Sequence, residues 1–335
     1  MKKNIVLSVL AALLFSLFLP IFSHAATTVK VGVLRLSSTA PIFIGMDKGF
    51  FEAEGIKVEP VWFKAAAPIA VAMASGDIDV GATGLTAALY NSIAQGMKIT
   101  VVADKGREWP GYKLTAIIVN PEQWKAGVRD LKDLKGKRVG ITQIGSTFHY
   151  ILGNLLEKRG MSLSDVKVVP LGSVASMRDT VITNQIESAF LVQPHITAVE
   201  KDGKAHVLLW AGDHLPYQIA ANFYGEKFMK NRQAAVAFMK GYIRSCRVYY
   251  DHALVRKEGP QYQEIINLIS KYTEQKPEAV ALALPYMDRN GELYAEDIQK
   301  QLDWYERNGM ISKKMSSSEM VDLSFWKEAM GQLGK

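Results

Sequence analysis

The chain writes "SGDIDVGATG" at residues 75–84 and "TNQIESAFLV" at 183–192. Each phrase opens on residues that end a helix. Each then passes through Ile-Asp or Ile-Glu into a small or apolar run that reads as a buried strand. Beyond the phrase, position n continues to track position n+108. Val31-Gly32-Val33 stands beside Val139-Gly140-Ile141, Ser38-Thr39 beside Ser146-Thr147, Gly45 beside Gly153, and Ile78-Asp79 beside Ile186-Glu187, with a short slip where Gly55 meets Gly160. The reading is two α/β lobes of similar build in series, the phrase being each lobe's second helix handing over to its third strand. Any two βαβ units share part of this pattern for physical reasons, so common ancestry of the halves stays open.

Strands and helices alternate from residue 28 onward. Strands are expected at 28–34, 56–63, 79–84 and 98–104, with helices at 41–55, 67–75 and 86–96 between them, which means βαβ units and a mainly parallel sheet. A strand at 113–120 and a polar connector at 126–136 lead into the second lobe, 121–215. The segment 217–228 reads as a strand crossing back, and four helical stretches then complete the first lobe. This gives a first lobe of 26–120 and 216–335 around a second of 121–215, joined by two chain crossings that suit a hinge closing on a ligand. "DRNGEL" (288–293) has Asp/Asn spacing reminiscent of a calcium loop, but its Gly is too early and its Glu misplaced, so a tight turn is expected.

The first residues are set apart from the fold. "MKK", then the apolar "IVLSVLAALLFSLFLPIF", then the small-residue exit "SHA-A" read as a secretory signal peptide cut after Ala25; an uncleaved anchor is the alternative. With no Cys at the cut there is no lipid attachment, and release into a bacterial periplasm is expected. The single cysteine among 335 residues, Cys246, cannot form an intramolecular disulfide and reads as a small buried hydrophobe. Removing Lys2 and Lys3 with the leader takes the formal charge from +7 to +5, a weak bias toward an anionic ligand. There is no basic run with interleaved aromatics to suggest nucleic acid, and no metal-ligand spacing among the six His. Neither a metal nor a cofactor is expected.

In open parallel sheets ligands bind where strand carboxyl ends lead into helix N-termini. The loop after the first strand offers Ser38 and Thr39. Its counterpart offers Gly145, Ser146 and Thr147, so that two helix ends with hydroxyls can converge on an anion. Ser-Thr before a helix serves equally as a cap alone. Arg35 follows the first strand, where it could grip a carboxylate or sulfonate or simply face solvent. Lys64, then Thr83, Gly84 and Thr86, follow the second and third strands, and Gln193 and His195 hold the corresponding place in the second lobe. Of the aromatics Trp62, Phe63, Trp109, Tyr112 and Phe148, two at most are expected at a ligand, the rest being core; Phe63 and Phe148 are the two put forward.

Taken together, "APIFIGMDKGFFEAEGIKVEP" (40–60), "MASGDIDVGATG" (73–84), "VRDLKDLKGKRVGITQIGST" (128–147) and "LVQPHI" (191–196) resemble the substrate-binding proteins of bacterial ABC importers. The nearest branch is the one serving nitrate, sulfonates, taurine and thiamine-pyrimidine precursors. The resemblance implies an α/β, two-lobed type II periplasmic-binding-protein fold, each lobe a mainly parallel sheet flanked by helices, with a helical C-terminal extension. It also implies capture of a small-molecule solute, no catalysis, and delivery to a membrane permease with its ATPase. Asn184-Gln185-Ile186-Glu187-Ser188-Ala189 departs from the Gly-x-x-Asp-Ala usual there, changing a turn and an acid. The expected solute is a small organic anion, a sulfonate or a carboxylate, with or without an aromatic group. A neutral pyrimidine precursor is the alternative. A pyrimidine synthase on the same fold is opposed by the leader and by the single Cys. A sensor using the same clamp is a third class.

Overall fold

The computed structural model describes residues 26–64 and 66–334; the expected leader, 1–25, lies outside them. Ten strands build two five-stranded sheets. The first holds β1 (Thr27–Val33), β2 (Ile56–Trp62), β3 (Val80–Gly84), β4 (Ile99–Glu108) and β10 (Tyr217–Gly225), in the order β2-β1-β3-β10-β4. The second holds β5 (Thr115–Val119), β6 (Arg138–Ile141), β7 (Lys167–Pro170), β8 (Ser188–Val192) and β9 (His206–Trp210), in the order β7-β6-β8-β5-β9. In each sheet four strands run parallel and one runs against them, β10 in the first and β5 in the second. The reversed strand is in each case the one that arrives from the other lobe. The expected mainly parallel, helix-flanked pair of sheets is what the chain forms.

The repeated phrase has a physical reason. β1 pairs with β3 through Val31–Val80 and Gly32–Gly81, and β6 with β8 through Val139–Ser188 and Gly140–Ala189, the same register 108 residues on. Asp79 accepts the Lys30 backbone N–H at 2.9 Å, and Glu187 accepts that of Arg138 at 2.9 Å, so each acid clips its phrase to the neighbouring parallel strand, β1 or β6. Ile78 and Ile186 pack over Gly32 and Gly140. A β-carbon at those glycines would meet the isoleucine Cδ1 at 2.5 and 2.8 Å, which is why no larger residue stands there. The longer Glu187 keeps the clip and adds a two-point grip on the Arg138 guanidinium at 2.9 and 2.7 Å, which holds its carboxyl down at about 2.

Several elements differ from expectation. The helix expected over 41–55 is α-helical only at Ala40–Asp47 and then turns, because Gly49 and Gly55 both take positive φ. β4 runs past Asp104 to Glu108, so Lys105, Arg107 and Glu108 belong to a strand and are buried. A C-terminal helix beyond the four expected, Ser324–Leu333, packs Phe325 against Tyr224. Helix Arg232–Tyr249 lays Phe238, Met239, Tyr242 and Cys246 on the first sheet, and burial there pushes the Cys246 thiol up. Helix Ala295–Arg307 touches both lobes. Asp297 accepts the Gln218 N–H at 2.9 Å, while Trp304 packs on Gly153 and donates to Glu157 at 3.0 Å.

Asp104 gathers these parts. It has no exposed surface, and its carboxylate accepts from Gly106 N (2.7 Å), Gln218 Nε2 (2.6 Å) and Asp288 N (2.9 Å), with Arg107 Nε at 3.0 Å. The 288–293 segment is the expected tight turn, closed by a Gly291 N–H to Asp288 carbonyl bond, and Asp104 is what it docks on. Asp104→Ala leaves the Arg107 charge without its carboxylate and the Gly106 and Asp288 N–H groups without an acceptor. It is expected to cost about 3–5 kcal/mol in urea unfolding at pH 7; a loss under about 1 kcal/mol would show that the node does not hold the turn.

Candidate ligand-binding site between the lobes

The carboxyl ends of the strands of both sheets face a cavity of ≈ 220 Å³. The first lobe gives it Ser37, Ser38, Thr83, Gly84 and Lys105, and the second gives Thr115, Thr147 and Gln193, among mainly apolar walls that include Leu34, Leu36, Leu114 and Ile219. A larger groove of ≈ 640 Å³ lies at the opposite edge of the first sheet, near Asp79, where β3 begins, and Gly225, where β10 ends. The parallel strands β3 and β4 begin beside it, so it lies at their amino ends.

Lys105 enters the cavity because its neighbours fix the strand. Asp104 is held on the core side, Gly106 adopts φ 142°, and the β4–β10 register slips between Gln218 and Ala220. The lysine is 2% exposed, donates to Ser38 Oγ at 2.7 Å, and forms no ion pair among the described residues. Burial pushes its ammonium down to about 7, against the opposing pull of the Asp104 charge. Ser37 Oγ and Thr83 Oγ1, both buried, have no hydrogen-bond partner among the described residues. Thr115 Oγ1, beside the Glu108 carboxyl, is likewise out of hydrogen-bonding geometry. Buried hydroxyls are normally satisfied, so donors collected around one ammonium mark a place shaped for an acceptor that the chain itself does not supply.

The residues put forward from sequence divide clearly. Ser38, Thr83, Gly84, Thr147 and Gln193 line the cavity. Thr39 is fully buried and donates to the Leu34 carbonyl, and Ser146 caps its helix by accepting His149 N–H at 3.3 Å. Thr86 caps helix Ala87–Ala94. Arg35 turns outward over Trp62, 4.2 Å from the ring centre, and pairs with Glu274 at 3.0 Å. Lys64 is solvent-exposed, Phe63 packs beneath Gly32, and Phe148 stacks on Phe190 in the core. His195 opens helix His195–Lys201 away from the cavity; burial, and then Arg178, lower its pKa. Trp109 and Tyr112 both pack on Tyr286. Ser37, Lys105 and Thr115 were missed. The only signal for Lys105 was a lysine at the end of an apolar strand, inside "ADKGRE", which reads as a charged loop.

Gly145 is where the lobes meet. Its carbonyl accepts the Ala87 N–H at 3.0 Å, its φ is 74°, and a β-carbon would stand 2.8 Å from Ala87 Cβ. The two crossings also touch, since a β-carbon on Gly212 would lie 2.6 Å from the Trp109 carbonyl oxygen.

Residues 37–253 match the model of the "NMT1/THI5 like" family. The chain belongs to the NMT1/THI5-like family. Relatives of this member include a Bacillus subtilis (strain 168) protein named for binding aliphatic sulfonates, 24% identical over 90% of this chain and 88% of that one. The taurine-binding periplasmic protein of Escherichia coli K12 is 28% identical over 76% of this chain and 75% of its own. A Schizosaccharomyces pombe 4-amino-5-hydroxymethyl-2-methylpyrimidine phosphate synthase is 25% identical over a shorter span, 46% of this chain and 41% of its own. The crystal structure of the periplasmic aliphatic sulphonate binding protein SsuA from Escherichia coli superposes with TM-score 0.71 at 18% identity, covering 88% of this chain and 92% of that one, which establishes the shared fold.

Gly145→Val adds the branched side chain at a left-handed position, a cost of roughly 1–2 kcal/mol, and drives it into Ala87. The variant is expected to keep a cooperative melt while its radius of gyration in solution scattering rises above wild type. An unchanged radius would remove this contact from lobe closure.

Proposed function

We propose that the chain is a periplasmic solute-binding protein of an ABC importer, not an enzyme, and that its solute is a small organic sulfonate. The observation that carries this reading is the buried Lys105 ammonium, without a carboxylate partner, beside the unpartnered hydroxyls of Ser37 and Thr83. A sulfonate brings a permanent charge and three acceptor oxygens, enough for the ammonium and both hydroxyls together. A carboxylate has one oxygen fewer, and a neutral pyrimidine leaves the cation uncompensated in a nearly dry site. Both were open on sequence alone. The catalytic alternative has little to work with, because the sole cysteine is buried in helix Arg232–Tyr249 and no group of three or more metal-ligating side chains occurs among the described residues.

In the proposed cycle the sulfonate docks on the first lobe at Lys105, Ser37 and Thr83. The crossings at 109–114 and 211–216 flex, and the second lobe then adds Thr147, Thr115 and Gln193. The closed pair of lobes is the form a permease and its ATPase would read. The proposed lobes are 26–108 with 217–334 and 115–210, joined by the two crossings; the boundary expected at 120 moves back because β5 (Thr115–Val119) pairs within the second sheet. The cleaved leader and release without a lipid anchor are also part of this proposal.

Titration calorimetry with sulfonates, carboxylates and pyrimidines is expected to give a Kd of about 1 μM or tighter for at least one sulfonate, about −8.2 kcal/mol. Tight binding of a pyrimidine with none of a sulfonate would overturn the reading. Lys105→Met is expected to weaken the sulfonate at least tenfold, about 1.4 kcal/mol. The sign of the pH dependence follows from the amine. It must be protonated to bind an anion, and its pKa in the free site is about 7. Affinity should therefore be greatest below pH 7 and fall by up to about tenfold per pH unit above it, until the higher pKa of the complex is passed. Lys105→Met should abolish this slope.

A further inference from the structure

We infer that the ligand extends past Gln193 into a second compartment, and that this outer compartment takes an aryl end of the sulfonate. The inference rests on the reading just proposed and narrows its substrate class. A second cavity, of ≈ 370 Å³, adjoins the inner one and draws its walls from the first crossing, the second lobe and the C-terminal helices. The segment 282–285 divides the two cavities, with Ala283 and Pro285 on the inner side and Leu282 and Leu284 on the outer. Gln193 is the residue common to both walls. Its side chain is tied only to Thr197, donating to Oγ1 at 2.9 Å and accepting the Thr197 N–H at 3.2 Å. A change of its rotamer breaks these local bonds and joins the compartments.

The outer walls are aromatic and carry two lysines and one acid, Glu200, whose Oε1 accepts the Val207 N–H at 3.4 Å. Tyr112 comes from the crossing, Trp210 from the end of β9 and Tyr262 from helix Pro260–Thr273. Lys113 Nζ stands 5.6 Å from the Trp210 ring centre and Lys257 Nζ 5.7 Å from that of Tyr112, one cation on each side, and neither lysine has an ion-pair partner among the described residues. Leu282, at 44% exposure, leaves apolar surface at the rim. Rings offer stacking and edge contacts to another ring, and ammonium groups next to them attract its π face. A short saturated sulfonate would fill the inner cavity and use none of this. A sulfonate with its head at Lys105 and a phenyl group several bonds away would use both.

The test titrates ethanesulfonate, 4-phenylbutanesulfonate and 4-cyclohexylbutanesulfonate into wild type, Trp210→Ala, Tyr262→Leu and Lys257→Gln. In wild type the phenyl compound should bind at least tenfold tighter than ethanesulfonate and also tighter than the cyclohexyl compound. The substitutions should remove most of that gain and leave ethanesulfonate unchanged. Should Trp210→Ala fail to fold, Tyr262→Leu and the solvent-facing Lys257→Gln carry the same comparison. Ethanesulfonate binding as tightly as the phenyl compound, or losses that do not depend on the tail, would overturn the outer compartment while leaving the sulfonate reading intact. Failure of every sulfonate to bind wild type would overturn that reading and, with it, this one.

Discussion

A carboxylate removed from water must be surrounded by donors, and at Asp104 that requirement organises both the fold and the site. Its donors come from β4 itself, from β10 arriving out of the second lobe, and from the 288–293 turn, three stretches far apart in the chain. The Asp104 backbone carbonyl also accepts from Tyr242 at 2.6 Å and Asn222 at 3.1 Å. Adjacent residues of a strand point to opposite faces, so holding Asp104 inward sends Lys105 toward the cleft. Burial pushes the Asp104 carboxyl up while Arg107 and the donors pull it back. Its charge in turn opposes the desolvation of Lys105, whose amine would otherwise be driven lower still. One buried acid thus sets both the direction and the readiness to protonate of the proposed ligand anchor.

The architecture was legible because it is written in local terms and written twice. The helix stop is a short-range feature, and the isoleucine over a glycine and the acid that clips a strand 49 residues before it recur with it 108 residues on in the same register. The site was legible only where it depends on strand ends. Ser38, Thr83, Gly84, Thr147 and Gln193 follow from that rule alone. Arg35 obeys the same rule yet turns away, because its partner Glu274 belongs to the C-terminal extension and no local pattern reveals it. Lys105 was illegible for the converse reason. "ADKGRE" carries four charges in six residues and reads as solvated loop, until β10, returning from the other lobe, covers it.

The two hydroxyl pairs show how far the symmetry reaches. Under the 108-residue offset Ser38 corresponds to Ser146 and Thr39 to Thr147, yet the cavity uses Ser38 from one lobe and Thr147 from the other. The first lobe enters its helix through a 3-10 turn at Ser37–Thr39, which rotates the serines into the cleft and Thr39 back onto the Leu34 carbonyl. The second lobe starts its helix at once, spends Ser146 as the cap and leaves Thr147 facing the cavity. The duplicated backbone therefore gives two similar frames and an asymmetric site, as an asymmetric solute requires.

The balance between open and closed lobes follows from the same polar groups. In the conformation seen here the lobes already touch at Ala87 and Gly145, and helix Ala295–Arg307 braces them through Tyr305 to the Ser146 carbonyl at 3.3 Å. Between the crossings Glu108 is fully buried. Burial pushes its carboxyl up to about 8, so it is neutral at pH 7 and places no unpaired charge at the hinge. The hydroxyls of Ser37 and Thr83 have no such release: closing the cleft without a ligand takes them from water and gives them nothing in return, a penalty of roughly 1–3 kcal/mol for each unsatisfied group. A ligand that fills those bonds removes the penalty only in the closed state. That difference in affinity between the two states is the quantity that shifts the population toward closure. A ligand bound through the apolar walls alone would gain contact area yet leave the hydroxyls unpaired, and would drive closure less for the same affinity.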